Sequence, residues 1–508
     1  MKIALVGIIK NEAHDILYWL AWHALLGVDS FILFDDDSQD GTRDLIKAAC
    51  LHWDIRLFHI TEHSLDLTEQ GRTNRRRQVY LDALAAIGDH YDWVGFLDTD
   101  EYVRLRTHDT LGMLLDSMGT DVGAVAFSWQ TYGHNGHITT PSLPPFHSFS
   151  RHSPFDDDIN RHVKSFIRPS CWQEGEWGNT HYFPLKLGNY VTPSGQPLDW
   201  SDTPGITKGR PDWSVASLMH FRNKSLEQFV EHARNHRDLG LSLSEHQLDQ
   251  WNEIEDTSPQ ERTTDTLRWM KPVVMSGCVM ALEQIRQLHP STGDFTPPCP
   301  KQKPTWFKMF ALYPREMRRI TVKDDLLYDT GEPTREHDDF QLFMLQSQQH
   351  PRAAFLFGLD GAQRIKDFFI LQDGRLTGLP RYDILPVVEQ TSVALRQRGN
   401  VFHRGQFLCS APREPLMPNR MKADLWECFL AIPQDTMPSG TSWLSLPAFH
   451  LAEMALQSPS FSLETIAALA EIDRKTTAWL LPLLAVHLDE LQLRELRGCL
   501  GALSPFIL

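Results

Sequence analysis

Two acidic clusters close strand-like runs of this chain: Phe34-Asp35-Asp36-Asp37-Ser38-Gln39-Asp40-Gly41-Thr42 and Phe96-Leu97-Asp98-Thr99-Asp100-Glu101. Carboxylates this close repel one another, so the pattern is costly unless a cation or an array of donors satisfies it. Mg²⁺ and Mn²⁺ prefer oxygen ligands and usually complete their shells with substrate phosphates. An Asp-X-Asp at the end of a buried strand therefore suggests a metal that bridges protein to diphosphate. The Arg-rich segment 72–77 supplies guanidiniums that suit the same group. Each feature alone has a plainer reading, as a solvated turn or a helix start. It is their combination in one region that points to chemistry.

The elements that must position these residues are legible in the first hundred positions. Residues 2–9 form a continuous apolar run, which predicts a strand covered on both faces. Ile16, Leu17, Leu20, Ala21, Ala24 and Leu25 recur at helical spacing over 12–26, with Gly27 placed as a C-cap. Further strands are predicted at 30–34, 55–60 and 93–97, and helices at 42–49 and 74–87. Strand–helix alternation with short links means a mostly parallel sheet whose ligands gather at the carboxyl ends of its strands. Both acidic clusters then fall on that edge.

Beyond this region 122–129 reads as another strand, and a Pro-, His- and Gly-rich stretch runs to about 212. The second half of 220–238 is an amphipathic helix, and 462–500 is strongly helical. Pro/Thr-rich links at 290–305 separate segments that carry no chemical motif. No internal repeat of about 20–50 residues is present.

Composition bounds the rest. The chain has 508 residues with 49 Lys+Arg against 65 Asp+Glu, a net charge of −16. At roughly 150 residues per domain, this length suggests about three units, or one large domain with an appendage. Hydrophobic residues at 42% and charged residues at 22% are ordinary for a folded protein. The acidic excess argues against nucleic acid as a partner, because phosphate neutralisation needs surplus Lys and Arg. Seven scattered cysteines with no Cys-X-X-Cys suit neither a disulfide framework nor a structural zinc site, and read as free thiols. No apolar run approaches about 18 residues, and the amino terminus reads as a strand rather than a signal peptide. The expected location is cytoplasmic, with room for peripheral contact at the inner face of a membrane.

The order of motifs resembles the family-2-like glycosyltransferases, and within them the glycosyltransferase family 92 (DUF23-type) proteins. Lys10-Asn11-Glu12, Trp19, His23 and Gly27-Val28-Asp29 precede the first acidic cluster as in that family. Arg72, Asn74, Arg75, Arg77 and Gln78 stand where it has its Arg/Asn/Gln element, and Trp93 leads the strand into Asp98-Thr99-Asp100-Glu101. Trp129 to Gly133, the block from His162 to Pro169, His181, and the block from His220 to Ser225 are similar to later family blocks. The likeness covers about residues 1–240. It implies an α/β, GT-A (Rossmann-like, mostly parallel) domain over 1–250. A mainly α-helical region of unknown function, helix-rich at its end, is expected over 251–508.

The resemblance also implies roles. Glu12, Asp35, Asp36, Arg75, Arg77, Gln78, Asp98 and Lys164 would bind the nucleotide-sugar. Asp98, Asp100 and His220 would hold Mn²⁺ or Mg²⁺. The expected activity is metal-dependent, inverting transfer of a hexose from a UDP-sugar to a carbohydrate or glycolipid acceptor, as in polysaccharide biosynthesis. Inversion needs a carboxylate base; Glu174 is the expected one, with Glu176 and Asp199 as alternatives. Trp172, Trp177 and Trp200 lie nearby and could stack on a sugar face. Two other readings are a nucleotide-sugar-binding scaffold without turnover and a haloacid-dehalogenase-like phosphatase. The latter normally carries Asp-X-Asp on its first strand.

Overall fold

The computed structural model describes residues 1–60, 69–87, 90–174, 179–235, 250–290, 306–335, 338–368, 370, 375–376, 379–386, 392–397, 405–424, 426–434, 446–457 and 461–508; of 69–76 and 232–235 only the backbone is described. The chain divides into two compact units, Met1–Met270 and Lys271–Leu508.

The first unit is built on β1 (Ile3–Ile9), β2 (Ser30–Asp35), β3 (Asp54–His59), β4 (Trp93–Phe96), β5 (Glu101–Leu105) and β6 (Val122–Thr131). The short β7 (Arg151–His152) pairs with β11 (Ile254–Glu255), while β8 (Val163–Ile167), β9 (Asn189–Val191) and β10 (Ala216–His220) join the main sheet. Its order is β3-β2-β1-β4-β8-β6-β10-β5, with β9 beside β6. Pairs β3–β2, β2–β1 and β1–β4 are parallel, whereas β8 runs antiparallel to both β4 and β6. The result is the expected α/β class, a mixed, mostly parallel Rossmann-like sheet.

Local sequence explains these elements. β1 is almost wholly buried, as a strand sandwiched between helices must be. Helix α1 (Ile16–Leu25) is apolar nearly all round and buried from Ile16 to Ala24, so it is a core helix rather than a surface one. It ends at Gly27, whose φ of +88° is the left-handed cap conformation. The periodicity places the helix start at residue 12, but the observed start is Ile16 because Asn11 to Asp15 make a turn. Asn11 has φ +56°, and the amides of Asp15 and Ile16 both bond the Glu12 carbonyl, at 3.0 and 2.9 Å. Helices α2 (Thr42–Ala49), α3 (Glu69–Ile87) and α4 (Leu111–Asp116) complete the alternation.

One glycine is required by a close approach. A Cβ on Gly95, in β4, would lie 2.3 Å from the ring of the fully buried Phe166. Gly95→Ala is therefore expected to destabilise the protein by about 1–3 kcal/mol through overpacking, read as a lower urea midpoint. An unchanged midpoint would mean that the ring moves away freely.

The second unit ends in helices Pro447–Leu456, Leu463–Ile472, Arg474–Ala485 and Glu490–Leu500. The expectation of a mainly α-helical region needs correction in its middle. Strands Phe307–Pro314, Phe340–Ser347, Ala353–Asp360, Arg381–Pro386, Ser392–Gln397 and Cys428–Pro433 pair antiparallel in that order, and the last pairs back with the first. This pairing closes a barrel, which removes exposed edges, around a core that includes Leu342, Leu356, Tyr382, Leu395 and Phe429. The reason sequence reading misses it is physical. Runs such as Phe340–Ser347 and Ala353–Asp360 are nearly continuous apolar stretches, whose periodicity does not separate a buried strand from a buried helix.

Six cysteines are described, and all are free thiols; Cys299 lies outside the described residues. Among the described residues no helix is long and apolar enough to cross a membrane.

Candidate active site

The carboxyl ends of β1, β2 and β4 bring the two acidic clusters to one sheet edge, and backbone-to-side-chain bonds lock the first of them. Asn11 N donates to Ser38 Oγ at 2.9 Å, Glu12 N to Thr42 Oγ1 at 2.8 Å, and Ala13 N to Asp40 Oδ2 at 2.8 Å. In return Gln39 N donates to Asn11 Oδ1 at 2.8 Å. Asp40 also accepts from Thr42 N at the start of α2. Asn11, Ser38, Asp40 and Thr42 thus hold the two loops together.

Strand register assembles the second cluster. β10 runs antiparallel to β5 with His220 opposite Glu101, so the imidazole arrives beside the preceding residue: His220 Nε2 is 3.4 Å from Asp100 Oδ2. β8 runs antiparallel to β4 with Phe166 opposite Gly95, which carries Lys164 to the end of β4. There its fully buried ammonium donates to Asp98 Oδ2 at 2.8 Å and lies 3.3 Å from Glu101 Oε2. Glu101 is also fully buried and accepts from Trp129 Nε1 at 2.8 Å and from Asp98 N at 2.9 Å. The Trp129 ring lies among three imidazoles, those of His220, His162 and His181, at centroid distances of 4.2, 4.8 and 5.6 Å.

The electrostatics separate these carboxyls. Burial pushes Glu101 up to about 7 against the pull of Lys164. Burial acts the same way on Asp100, but His220, Lys224 and Lys164 outweigh it and hold that carboxyl below the usual range. His181 is pushed down to about 3 by burial and by Lys164, so it is neutral, and its Nδ1 bonds the Val163 carbonyl at 2.8 Å. The site therefore keeps a charged Asp100, reachable with 32% of its side chain exposed, beside a carboxyl whose charge is marginal.

A third group lies on the β1 side. Lys224 pairs with the buried Asp15, which His14 Nδ1 also meets at 2.6 Å. Burial pushes the half-buried Glu12 up to about 7; Lys224 opposes this, while Asp15 and Asp100 add to it. A carboxyl raised from 4.5 in this way favours the protonated form in the fold. Its contribution to stability is full below its unfolded value and is lost as pH rises through the folded one. Glu12→Gln is expected to flatten that slope, so the variant should lose less melting temperature than the wild type between about pH 5 and about pH 8. Parallel curves would show that Glu12 is charged throughout.

The other expected site residues are placed as follows. Asp35 is buried and ion-paired with Arg43, with His59 Nδ1 at 3.8 Å, while Asp36 faces Lys10 Nζ at 3.5 Å. Arg77 is buried on α3, which lowers the affinity of its guanidinium for a proton; Gln78 is exposed and bonds Asp82 at 2.7 Å. The side chains of Arg72, Asn74 and Arg75 lie outside the described residues, as do Glu176 and Trp177. Glu174 and Asp199 are exposed. Trp172 is buried. Sequence reading did not single out Arg43, Trp129 as a ring platform, or Lys224. The last two sit inside blocks with family likeness, which was the available signal.

Among the described residues no group of three or more His, Cys, Asp and Glu side chains is arranged to hold an ion. Asp100 and His220 still offer an oxygen and a nitrogen donor side by side. The buried His220 Nδ1 has no hydrogen-bond partner among the described residues. Two protein donors suit a divalent cation that takes its remaining ligands from phosphates and water. The residues present therefore fit Mn²⁺ or Mg²⁺ as an open site. Asp98, engaged by Lys164, stands beside it.

Comparison with known proteins gives the following. The sequence pattern of glycosyltransferase family 92 matches residues 8–253. A family 92 protein of Arabidopsis thaliana is 22% identical over 197 residues, 37% of this chain and 32% of its own. One of Ricinus communis is 26% identical over 191 residues, 35% of this chain and 30% of its own. The chain spans about a third of the length of the curated relatives it matches. A crystal structure of S. aureus TarS in complex with UDP is similar at 14% identity and a TM-score of 0.25, over 57% of this chain and 86% of that one. Glucosyl-3-phosphoglycerate synthase from Mycobacterium tuberculosis, in complex with Mn²⁺, UDP and glucosyl-3-phosphoglycerate, is similar at 16% identity and a TM-score of 0.20, over 34% of this chain and 58% of that one.

Proposed function

We propose, from the match of residues 8–253 to the glycosyltransferase family 92 pattern, that this chain is a metal-dependent, inverting glycosyltransferase using a UDP-sugar and a carbohydrate or glycolipid acceptor. The observation that carries the reading is the meeting of Asp100 with His220 at the carboxyl end of β4, flanked by buried lysines.

Transfer breaks the anomeric C–O bond through an oxocarbenium-like state, and negative charge builds on the departing diphosphate. A divalent cation at Asp100 and His220 supplies Lewis-acid stabilisation of that charge when bound. Asp98, 42% exposed and oriented by Lys164, presents its outer carboxylate edge to the donor. Asp36 and Glu12, on neighbouring loops, contact the nucleoside, while the more deeply buried Asp35 acts through Arg43. Arg77 of α3 adds positive charge on the diphosphate side. Glu174, exposed and without an ion-pair partner among the described residues, takes the acceptor proton.

Two measurements test this: UDP release from a panel of UDP-sugars, and melting curves with UDP, with and without Mn²⁺. Release from at least one donor and a Mn²⁺-dependent rise in melting temperature are expected. If no nucleotide or nucleotide-sugar shifts the curve, the reading fails. A shift without turnover favours the scaffold, and phosphate release from a simple phosphomonoester favours the phosphatase.

A further inference from the structure

A cavity of about 680 Å³ opens in the first unit, lined by Tyr182, Tyr190, Trp200, Asn189, Asp121 and Ser117 among others. It lies away from the acidic edge. β8 is antiparallel to both β4 and β6, so β4 and β6 run the same way, and Asp98 follows the carboxyl end of β4. The cavity instead borders the amino end of β6, at Asp121 and Val122, and the start of β9.

The lining has a definite chemistry. Tyr182 and Tyr190 stack at 5.3 Å between centroids, and Trp200 meets both edge-on at 5.4 and 5.2 Å. Tyr190 is pinned, since its hydroxyl donates to Phe183 O at 3.0 Å and accepts from Phe183 N at 2.9 Å. The three rings are nevertheless only half-buried. The Trp200 indole N–H meets no acceptor among the described residues. A rigid, half-exposed aromatic platform beside an amide, a hydroxyl and a carboxylate suits a pyranose. The sugar's C–H face packs on the rings while its hydroxyls take the polar groups. Asp121 is the only charged side chain among the described lining residues, so nothing there would neutralise a phosphate or a uronate. The volume lies in the ~300–1,000 Å³ range of small-ligand pockets.

The geometry points to a second carbohydrate site here, one that holds a neutral glycan chain at the sheet edge opposite the donor site, with Trp200 and Tyr182 as its stacking surfaces and Asn189 as a hydroxyl partner. It stands independently of the donor-site reading. A glycan anchored there keeps a polymeric acceptor close to the enzyme and raises its local concentration.

Affinity electrophoresis of the full chain in dextran, galactomannan and mixed-linkage β-glucan, with polygalacturonate as the anionic probe, tests it. At least one neutral polysaccharide should retard the wild type while polygalacturonate does not. Trp200→Ala and the exposed Asn189→Ala should each weaken that retardation, the former at least tenfold. The melting shift with UDP and Mn²⁺ should equal that of the wild type in both variants, which also reports that they fold. No retardation by any neutral probe would overturn the proposal. So would equal retardation by polygalacturonate, or wild-type retardation of Asn189→Ala together with a folded Trp200→Ala. Loss of the UDP shift in the wild type, with glycan binding intact, would count against the donor site alone.

Discussion

Asp100→Asn is expected to lower kcat/KM for sugar transfer at least a hundred-fold, since losing even a residue that only supports a metal ligand costs about 10–100-fold. Asp100 is the carboxyl that the site keeps charged: burial raises it, and His220, Lys224 and Lys164 together override burial. Asparagine preserves its shape and can still bond His220 Nε2, now 3.4 Å from the carboxylate, but it removes the negative charge that a hard cation requires. The variant should therefore need more Mn²⁺ to reach half-maximal rate and should lose the Mn²⁺-dependent part of its UDP melting shift. His220→Asn should move both quantities the same way, since the two residues form one donor pair. The decisive comparison is with melting temperature in the absence of ligand. If Asp100→Asn transfers sugar at an undiminished rate the cation assignment falls, and a lowered melting temperature beside that rate would mark the pair as structural.

The residues behind this prediction were readable because they combine a local pattern with a position. β1, β2 and β4 are short apolar runs flanked by helical periodicity, and an acidic cluster after such a run must lie at the sheet edge. What the pattern does not reveal is which carboxylates remain available. Asp40 spends its oxygens on Thr42 and on Ala13, twenty-seven residues upstream, and Asp35 on Arg43. Both look the same in sequence as Asp36, which meets the exposed Lys10 ammonium at 3.5 Å. Lys164 shows a similar gap: its charge is legible, whereas its complete burial between Asp98 and Glu101 follows from β8 running antiparallel beside β4, a pairing across about seventy residues that no local signal encodes. His220 was recognised through its block, but its distance to Asp100 depends on the β5–β10 register.

That burial carries the second large effect. Lys164→Met is expected to destabilise the first unit by about 3–5 kcal/mol, the range for removing one partner of a buried ion pair. The ammonium and the Glu101 carboxyl are both fully buried at 3.3 Å, so neither has water to fall back on. Methionine fills the stem's volume but leaves Glu101 with Trp129 Nε1 and Asp98 N as its remaining donors. The sign of the pH dependence follows. Lys164 opposes the burial that already pushes Glu101 up to about 7, so its loss drives that carboxyl higher still. Protonation then relieves the uncompensated charge at low pH, and the deficit should grow as pH rises from about 5 to about 8. Glu101→Gln in the same background removes the charge altogether and should recover part of the loss. The double variant should thus melt above the value obtained by adding the two single effects. Purely additive losses would mean that Lys164 and Glu101 do not interact, and that Asp98 alone, more exposed and therefore worth less, is the partner that keeps a lysine in this core.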